Sequence, residues 1–322
     1  MLSKVEKDIK KLIKKSDNVF IIGHKGLDLD AIGSCIGIAA ICNYFDKNNY
    51  IIVDDKTNEI GVSKILKEIK DTNKVISSSD IDKYYKDNSS LIIVDVNKKN
   101  LLQNGNVVEE FKDIIVLDHH QETEEAIKTD NKLIDINKSS TGEIITNLIE
   151  NYKVPLTILE STAILSGIIL DTNNFTVKTT ANTYYSAYYL TKMGANPKKV
   201  QYYLKEDLKD YIIRHKVIMN VEVIDNIYAV CTTDDNEEYR REELAKIADT
   251  LLNFNGIRAS FVIGKRVDGG IGISARSEGI TNVSEITEKL GGGGDIYNAA
   301  CQINNMNIND VKKALMKILK ED

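Results

Sequence analysis

Aspartates and histidines gather at the ends of apolar runs in the first part of this 322-residue chain. Three of its four histidines belong to this set, which comprises His24, Asp28, Asp30, Asp95, Asp118, His119, His120 and Asp171. Carboxylate oxygens mixed with imidazole nitrogens, without thiolates, suit manganese, magnesium or iron better than a structural zinc. Two such ions about 3.5 to 4 Å apart can turn a bridging water into a hydroxide nucleophile and also hold a phosphate. The residue types therefore indicate two-metal phosphoester chemistry.

Single members of this set also have simpler explanations. An aspartate that follows a strand often caps the next helix, and this applies most strongly to Asp28 and Asp95. A lone histidine in a loop is more often a surface or hydrogen-bonded residue than a ligand, and we interpret His215 in that way. Because the other three histidines fall into two clusters at strand ends, their joint placement favours metal binding.

The elements between these residues predict how they meet. Short β-branched runs alternate with longer helical segments up to about residue 190, which is typical of parallel βαβ units. The predicted strands are nearly continuous in apolar residues, as expected where helices cover both faces, and span residues 19–22, 50–53, 91–94 and 114–117. Since the carboxyl ends of parallel strands line one crevice, the aspartates and histidines should converge there.

A different pattern follows residue 195. Strands are predicted at 221–233 and 257–273, with a turn at Gly269 and Gly270, and helices at 242–253, 283–290 and about 309–320. We predict an α/β fold in which a doubly wound, mainly parallel sheet precedes a smaller α/β domain across a cleft. The predicted boundaries are 1–195 for the first domain, 196–215 for a linker and 216–322 for the second domain.

Composition limits the partners and the location. A net charge of −6 makes long nucleic acid a poor partner, because its binding depends on phosphate neutralisation, but a small phosphate-containing ligand is compatible. No apolar stretch reaches the ~20 residues that a membrane-spanning helix needs, and the charged first 15 residues predict an amphipathic helix rather than a signal peptide. We therefore expect a cytoplasmic chain with no membrane contact of its own. Four widely spaced cysteines are predicted to be buried thiols.

The motifs resemble those of the DHH/DHHA1 phosphoesterase superfamily, from about residue 16 to the C-terminus. The matching segments are Gly23-His24 with Asp28-Leu29-Asp30, Val94-Asp95, Asp118-His119-His120 and Asp171-Thr172-Asn173-Asn174-Phe175. Within the superfamily, the chain is most similar to the catalytic portion of GdpP-type cyclic-di-AMP phosphodiesterases. Those proteins carry membrane helices, a PAS domain and a degenerate GGDEF domain upstream. The chain is then expected to be either a stand-alone form or the cytoplasmic catalytic part of a membrane-anchored protein.

The resemblance implies two divalent ions, with Mn²⁺ expected, and assigns a role to each side chain. One ion would be held by His24, Asp28 and Asp95, and the other by Asp30, Asp95, His119 and Asp171. His120 would face the scissile phosphate and stabilise developing negative charge, while Asp118 would orient an imidazole.

Substrate contacts are expected from both domains. The resemblance makes Arg276 a phosphate ligand with bidentate geometry. The hydroxyls of Ser139, Ser140 and Thr141 could bind phosphate or base, or could cap the helix that begins near Gly142. A run of four glycines would let the backbone approach an anion, and comprises Gly291, Gly292, Gly293 and Gly294.

Asp295 is a departure from the family pattern, in which a histidine follows the glycines. An ionised aspartate supplies no donor and repels phosphate, so we favour weakened or altered substrate binding. The alternative is that Asp295 keeps its proton and donates a hydrogen bond.

The leading hypothesis is a manganese-dependent phosphodiesterase that opens cyclic-di-AMP to pApA, with further hydrolysis to AMP as an option. An alternative within enzymes is a nanoRNase or 3′,5′-bisphosphate nucleotidase that acts on short linear substrates such as pApA or pAp. An alternative of another class is a nucleotide-binding sensor with weak or no catalysis, which Asp295 motivates. The oligomeric state stays open, with a homodimer as one option.

Overall fold

The computed structural model describes residues 2–54 and 58–321. These residues form two compact units, Met1–Glu206 and Asp207–Asp322, and each unit has its own buried apolar clusters. Among the described residues, no helix combines the length and the apolar character needed to cross a membrane.

The first unit contains a six-stranded parallel sheet in the order β3-β2-β1-β4-β5-β6. Its strands are β1 (Asn18–Ile22), β2 (Asn48–Ile52), β3 (Val75–Ile76), β4 (Ser90–Val94), β5 (Asp113–Asp118) and β6 (Lys132–Ile134). Its helices are α1 (Lys4–Lys15), α2 (Leu29–Tyr44), α3 (Ile60–Ile69), α4 (Ile81–Tyr84), α5 (Thr141–Tyr152), α6 (Ile158–Asp171), α7 (Ala181–Lys192) and α8 (Pro197–Tyr203). The predicted doubly wound parallel sheet is confirmed.

Alternate residues of each strand enter different layers, because successive side chains point to opposite faces. In β1, Val19 and Ile21 pack with the long helices, whereas Phe20 and Ile22 belong to the cluster on the other face. That second cluster is completed by residues of α4 and of short 3₁₀ turns rather than by long helices. Both faces are therefore covered, which explains the continuous apolar runs in the sequence.

Helix α2 is buried on nearly all sides, which fits its almost uniformly apolar sequence. Glycines allow α2 and α6 to approach closely: a Cβ added to Gly33 would lie 2.6 Å from the carbonyl oxygen of Ala163. In the other direction, a Cβ added to Gly167 would lie 2.6 Å from the Cα of Asp30. This contact fixes the backbone at the start of α2, where Asp30 lies.

The second unit contains a mixed sheet in the order β12-β13-β11-β10-β8-β7, with β9 paired to β10. Its strands are β7 (Glu222–Ile224), β8 (Tyr228–Thr232), β9 (Glu238–Tyr239), β10 (Ala259–Arg266), β11 (Ile271–Ser277), β12 (Gly293–Gly294) and β13 (Asn298–Ile303). Its helices are α9 (Leu208–Ile218), α10 (Arg241–Leu252), α11 (Val283–Glu288) and α12 (Ile308–Glu321). The sheet separates two apolar clusters, one with α11 and α12 and one with α9 and α10. The predicted smaller α/β domain is confirmed.

Residues 196–215, predicted as a linker, form α8 and most of α9. Val200 and Tyr203 of α8 are buried in the main core of the first unit. By its internal contacts, the first unit thus extends beyond residue 195 to Glu206.

Candidate metal centre

The aspartates and histidines of the first unit lie where the strand order changes direction. His24 and Asp28 are in the loop after β1, Asp95 follows β4 directly, and Asp118 is the last residue of β5. Strands β2 and β3 continue from one side of β1, and β4 to β6 from the other. The crevice outside the carboxyl ends of the strands at such a reversal is where open α/β sheets bind ligands.

Three groups of side chains bring possible ligand atoms within 4.8 Å of one another in the described part of the chain. They are His24 with Asp28 and Asp95, Asp30 with His119 and Asp171, and Asp95 with His119 and His120. Asp95 and His119 each occur in two groups. The structure thus joins all six predicted metal ligands, together with His120, in one connected cluster.

Asp95 lies at the middle of the cluster. Its Oδ2 is 3.5 Å from the Nε2 of His24, and its Oδ1 is 3.5 Å from the Nε2 of His119. The Oγ1 of Thr141 donates a hydrogen bond to the same Oδ1 at 3.0 Å. The backbone of Asp95 has φ of +61°, a left-handed conformation that costs energy outside glycine and is common at functional sites. One carboxylate thereby presents an oxygen to each side, as a bridging ligand must.

His24 and Asp28 form one side of the cluster. The Nδ1 of His24 donates to the carbonyl oxygen of Lys25 at 2.9 Å, which leaves Nε2 facing Asp28 and Asp95. The Nε2 of His24 lies 3.5 Å from the Oδ2 of Asp28. Burial lowers the pKa of His24, but the two carboxylates outweigh it and raise the pKa. Asp28 does cap α2, because its Oδ1 accepts from the backbone N–H of Asp30 and of Ala31 at 2.9 Å each. Its Oδ2 remains turned to the cluster, so capping and ligand geometry coexist.

Asp30 is a fully buried member of the cluster. Its two oxygens accept hydrogen bonds from the backbone N–H groups of Thr141, at 2.7 Å, and Gly142, at 2.9 Å. These amides begin helix α5, whose N-terminus favours a negative charge. Burial, followed by the charges of Asp95 and Asp28, nevertheless raises the pKa of Asp30 well above its ordinary value.

His119 and Asp171 form the other side of the cluster. The Nε2 of His119 is 3.4 Å from the Oδ2 of Asp171. Burial lowers the pKa of His119, which favours the neutral imidazole that can bind a metal. Burial and then the charges of Asp30, Asp28 and Asp95 raise the pKa of Asp171 well above its ordinary value.

These residues fit divalent metal ions. The nitrogen-to-oxygen separations of 3.4 to 3.5 Å exceed ordinary hydrogen-bond lengths. The donor atoms therefore lie close together without ordinary hydrogen bonds, and a cation shared between them would account for that spacing. Four carboxylates crowd the centre, and burial together with the neighbouring carboxylate charges raises the pKa values of Asp30 and Asp171. A bound cation would relieve this cost of gathering buried carboxylates. Hard oxygen donors with two imidazoles and no thiolate match manganese or magnesium.

Asp118 and His120 have a different relation to the centre. The Oδ1 of buried Asp118 accepts from the Nδ1 of His120 at 2.8 Å and from the backbone N–H groups of both histidines. The His120 side chain is 59% exposed, whereas that of His119 is 5% exposed. Burial opposes the charged form of His120, but the hydrogen bond to Asp118 and the charge of Asp95 raise its pKa. The two adjacent imidazoles therefore occupy distinct environments, one inside the cluster and one at its surface.

The three hydroxyl residues predicted to contact substrate lie beneath the centre instead. Ser139, Ser140 and Thr141 are all fully buried. Ser140 caps α5 by accepting from the backbone N–H of Glu143 at 3.2 Å, so the helix-cap alternative holds for this residue. Thr141 donates to Asp95, and the Ser139 hydroxyl donates to the Oε2 of Glu143 at 2.8 Å. These hydroxyls already form hydrogen bonds inside the protein. We therefore interpret them as residues that support the metal centre and not as substrate contacts.

From the sequence, no function was assigned to Glu143 or Thr183. In the structure both side chains join the buried hydrogen bonds around Ser139. The Oγ1 of Thr183 donates to the Oε2 of Glu143 at 3.1 Å. Ser140 and Glu143 have the spacing of a capping box, and this signal could have indicated a helix start at Thr141. The contact with Thr183, 40 residues further on, has no local signal.

In the second unit, Arg276 lies on β11 with its side chain 17% exposed. Its Nε donates to the Oδ1 of Asp249 at 2.7 Å, and its Nη1 donates to the carbonyl oxygen of Ala275 at 2.9 Å. Asp249 thus holds the guanidinium in one orientation.

The glycine run packs against β13. An added Cβ on Gly292 would lie 2.3 Å from the Cβ of Cys301, and one on Gly294 would lie 2.2 Å from the carbonyl oxygen of Asn298. Asp295 begins the turn to β13, where its Oδ1 accepts from the backbone N–H groups of Tyr297, at 2.7 Å, and Asn298, at 2.8 Å. Both amides donate to the same oxygen, so the side chain of Asp295 is fixed within this turn.

Family models match both units: residues 18–168 match the DHH family, N-terminal domain, and residues 224–321 match the DHHA1 domain. The chain is 36% identical over 323 residues to the cyclic-di-AMP phosphodiesterase PdeA of Listeria monocytogenes, and the match covers 98% of this chain and 49% of that protein. It is 35% identical over 320 residues to the cyclic-di-AMP phosphodiesterase GdpP of Geobacillus thermodenitrificans, covering 97% of this chain and 49% of that protein. The chain thus spans about half the length of the curated relatives it matches.

A solved structure confirms the fold. The crystal structure of an exopolyphosphatase-related protein from Bacteroides fragilis superposes with a TM-score of 0.82 at 18% sequence identity. The match covers 99% of this chain and 98% of that one, so it extends over both units. The chain therefore belongs to the DHH family, as a protein in which a DHH-family N-terminal domain is followed by a DHHA1 domain.

Proposed function

We propose that this chain is a metal-dependent phosphodiesterase that hydrolyses cyclic-di-AMP to pApA. The observation that carries the proposal is the cluster centred on Asp95, whose two oxygens face different imidazoles. Two relatives at 36% and 35% identity, both named cyclic-di-AMP phosphodiesterases, support the choice of substrate. The proposed setting is the cytoplasm, and the four free, buried cysteines fit a reducing compartment.

In this proposal His24, Asp28 and Asp95 hold one ion, and Asp30, Asp95, His119 and Asp171 hold the other. Two divalent ions, Mn²⁺ by preference, would supply an activated water and would neutralise charge on the phosphate. The protein prepares both positions through fixed side chains. Asp95 is locked by Thr141 and Asp30 by the first amides of α5, so neither carboxylate must reorganise when a cation binds.

His120 acts on the phosphate from the exposed side of the cluster. Asp118 accepts from its Nδ1, which fixes the ring and leaves the opposite nitrogen, Nε2, for the substrate. The same hydrogen bond favours a positively charged imidazole. Such a group stabilises the negative charge that develops on the phosphate oxygens during hydrolysis, and we assign this role to His120.

The second unit contributes recognition in this proposal. Arg276, oriented by Asp249, contacts a phosphate of the dinucleotide. The open face of the glycine run, where a Cβ on Gly291 or Gly293 would have no neighbour within 4 Å, admits a ligand. Asp295 places a negative charge beside that face, which weakens the binding of an anionic substrate.

The decisive experiment compares cyclic-di-AMP, pApA and pAp as substrates with Mn²⁺, with products separated by chromatography. We expect cyclic-di-AMP to be converted to pApA, and we expect chelation by EDTA to abolish the reaction. Rapid cleavage of pApA with intact cyclic-di-AMP would replace this proposal with a linear-oligonucleotide activity. Nucleotide binding without any cleavage in the presence of Mn²⁺ would indicate a sensor instead.

A further inference from the structure

Glu143 is a fully buried acid that the proposed chemistry does not use. Its Oε1 accepts from the Nζ of Lys138 at 3.0 Å. Its Oε2 accepts from the backbone N–H of Ser139 at 3.1 Å, from the Ser139 hydroxyl at 2.8 Å and from the Thr183 hydroxyl at 3.1 Å. A buried carboxylate is costly unless it is paired and hydrogen-bonded. These four donors show that the fold satisfies Glu143 fully at this point.

Helix capping alone does not explain this arrangement. In a capping box, the acid at the third helical position accepts from the backbone N–H of the cap residue, which here is Ser140. The carboxylate of Glu143 accepts instead from Ser139, one residue earlier, and from Thr183 on α7. Glu143 therefore fixes the approach to α5 and joins it to a second helix.

The segment that Glu143 fixes also carries the donors to two proposed metal ligands. The backbone N–H groups of Thr141 and Gly142 donate to Asp30, and the Thr141 hydroxyl donates to Asp95. Only one residue, Ser140, separates Ser139 from Thr141. A shift of Ser139 would therefore move the donors that hold Asp30 and Asp95.

Thr183 connects Glu143 to the segment that follows Asp171, which is a third proposed metal ligand. Its Oγ1 accepts from the backbone N–H of Thr180 at 3.0 Å while donating to Glu143. Thr180 caps α7 and ends the segment that begins after Asp171. Four non-glycine residues of that segment have positive φ, which indicates a backbone held by its surroundings: Asn173, Asn174, Phe175 and Lys178. One carboxylate thus ties the starts of α5 and α7 together under the cluster.

We infer that Glu143 is a positioning residue that sets the metal affinity of the centre by holding the Ser139-to-Gly142 segment. The inference rests on the proposed metal centre, but not on the identity of the substrate. Glu143→Gln keeps the size of the side chain and replaces one oxygen by an NH₂ donor. Lys138 donates to one oxygen of Glu143, and Ser139 and Thr183 donate to the other. The NH₂ group of glutamine would therefore face a donor in either orientation and lose hydrogen bonds.

The test is a calorimetric titration of the full chain with Mn²⁺ in the absence of nucleotide. Loss of outer partners of metal ligands typically costs about 10- to 100-fold in affinity or activity, so Glu143→Gln should weaken Mn²⁺ binding by about that factor. Turnover at saturating Mn²⁺ should change far less than the Mn²⁺ concentration that gives half-maximal activity. Thr183→Val keeps the charge, removes one donor and should shift Mn²⁺ affinity in the same direction by a smaller factor.

Thr162→Val is the matched control. Thr162 is a buried threonine of the same unit, and its hydroxyl donates to the carbonyl oxygen of Ile158 within α6 and accepts from the backbone N–H of Asn196. The same substitution there should leave Mn²⁺ affinity unchanged even where it lowers the thermal midpoint. A general loss of stability would instead affect Thr162→Val and Thr183→Val alike.

Folding of each variant is checked by circular dichroism. A folded Glu143→Gln chain with wild-type Mn²⁺ affinity overturns the inference and leaves the proposed function intact. If Glu143→Gln does not fold, Thr183→Val decides: weaker Mn²⁺ binding supports the inference, and unchanged binding overturns it. A wild-type chain that binds no Mn²⁺ overturns the metal centre itself and the inference with it.

Discussion

The two units hold their proposed functional residues in contrasting ways. In the first unit, Asp30 and Asp95 are buried, and each accepts hydrogen bonds from helix α5. In the second unit, Arg276 depends on Asp249, whose side chain is 56% exposed, and Asp295 lies in an exposed turn. Chemistry on a phosphate requires fixed positions, whereas recognition at a surface tolerates replacement of single side chains. This contrast matches the motifs: all the first-domain motifs are present, and the departure from the family pattern is Asp295.

Asp95→Asn should give the largest effect. The amide supplies one oxygen and a donor, so it cannot present an anionic oxygen to both sides of the cluster. We expect kcat/KM with Mn²⁺ to fall at least about 10³-fold, which corresponds to about 4 kcal/mol in the barrier. Initial rates on the preferred substrate measure the loss. A fully active Asp95→Asn enzyme would rule out the shared-ligand assignment.

Gly167→Ala should affect both stability and the metal centre. The added methyl would lie 2.6 Å from the Cα and 2.7 Å from the Oδ1 of Asp30, so α6 must move away from α2. Overpacking of a core typically costs about 1–3 kcal/mol, and the displacement of Asp30 should weaken Mn²⁺ binding as well. Urea unfolding and Mn²⁺ titration measure the two effects.

The stability control for this substitution comes from the second unit. A Cβ on Gly293 would meet no heavy atom within 4 Å, so Gly293→Ala should leave the unfolding midpoint unchanged. Equal destabilisation by both substitutions would contradict the contrast between a closely packed first-unit site and an open glycine run.

Arg276→Lys should raise KM by about 10-fold with a smaller change in kcat, because lysine lacks the bidentate geometry and the oriented contact with Asp249. Arg266→Lys is the control, since Arg266 lies in the same sheet and pairs with Asp268 at 2.5 Å. Steady-state kinetics of both variants separate recognition from general loss of charge. A KM for Arg276→Lys equal to that of the control would remove Arg276 from the proposed phosphate contacts.

Substitutions of Asp295 should give the smallest effects, and they should lower KM rather than raise it. Asp295→Asn retains an oxygen that accepts from Tyr297 and Asn298, so it removes the charge while keeping the turn. We expect KM to fall by about 2- to 3-fold for asparagine and further for histidine, which adds a donor; a neutral hydrogen bond contributes about 0.5–1.5 kcal/mol. Unchanged KM in both variants would show that Asp295 does not influence substrate binding.

The sequence predicted the fold and the convergence of the aspartates and histidines, because both follow from the pattern of strands and of the polar residues after them. Continuous apolar runs identify parallel strands, and polar residues that follow neighbouring strands must meet at one edge of the sheet. The capping role of Asp28 was also predictable, since an acid before a helix has a known preference.

The buried residues that support the metal centre could not be predicted in the same way. Ser139, Ser140 and Thr141 are hydroxyl residues that the sequence placed near substrate, and only tertiary packing shows that they are buried and occupied. The left-handed backbone of Asp95 and the contact of Glu143 with Thr183 depend on segments that are distant in the chain. Long-range hydrogen bonds of this kind leave no periodic signal in a sequence.

The central claim is that the first unit binds two divalent ions through a shared Asp95. The most direct test is the number of Mn²⁺ ions per chain, measured by elemental analysis after equilibration with Mn²⁺ and removal of the unbound metal. We expect two ions per wild-type chain and fewer in Asp95→Asn. A wild-type chain with no bound ion, or an Asp95→Asn chain that retains both, would contradict it.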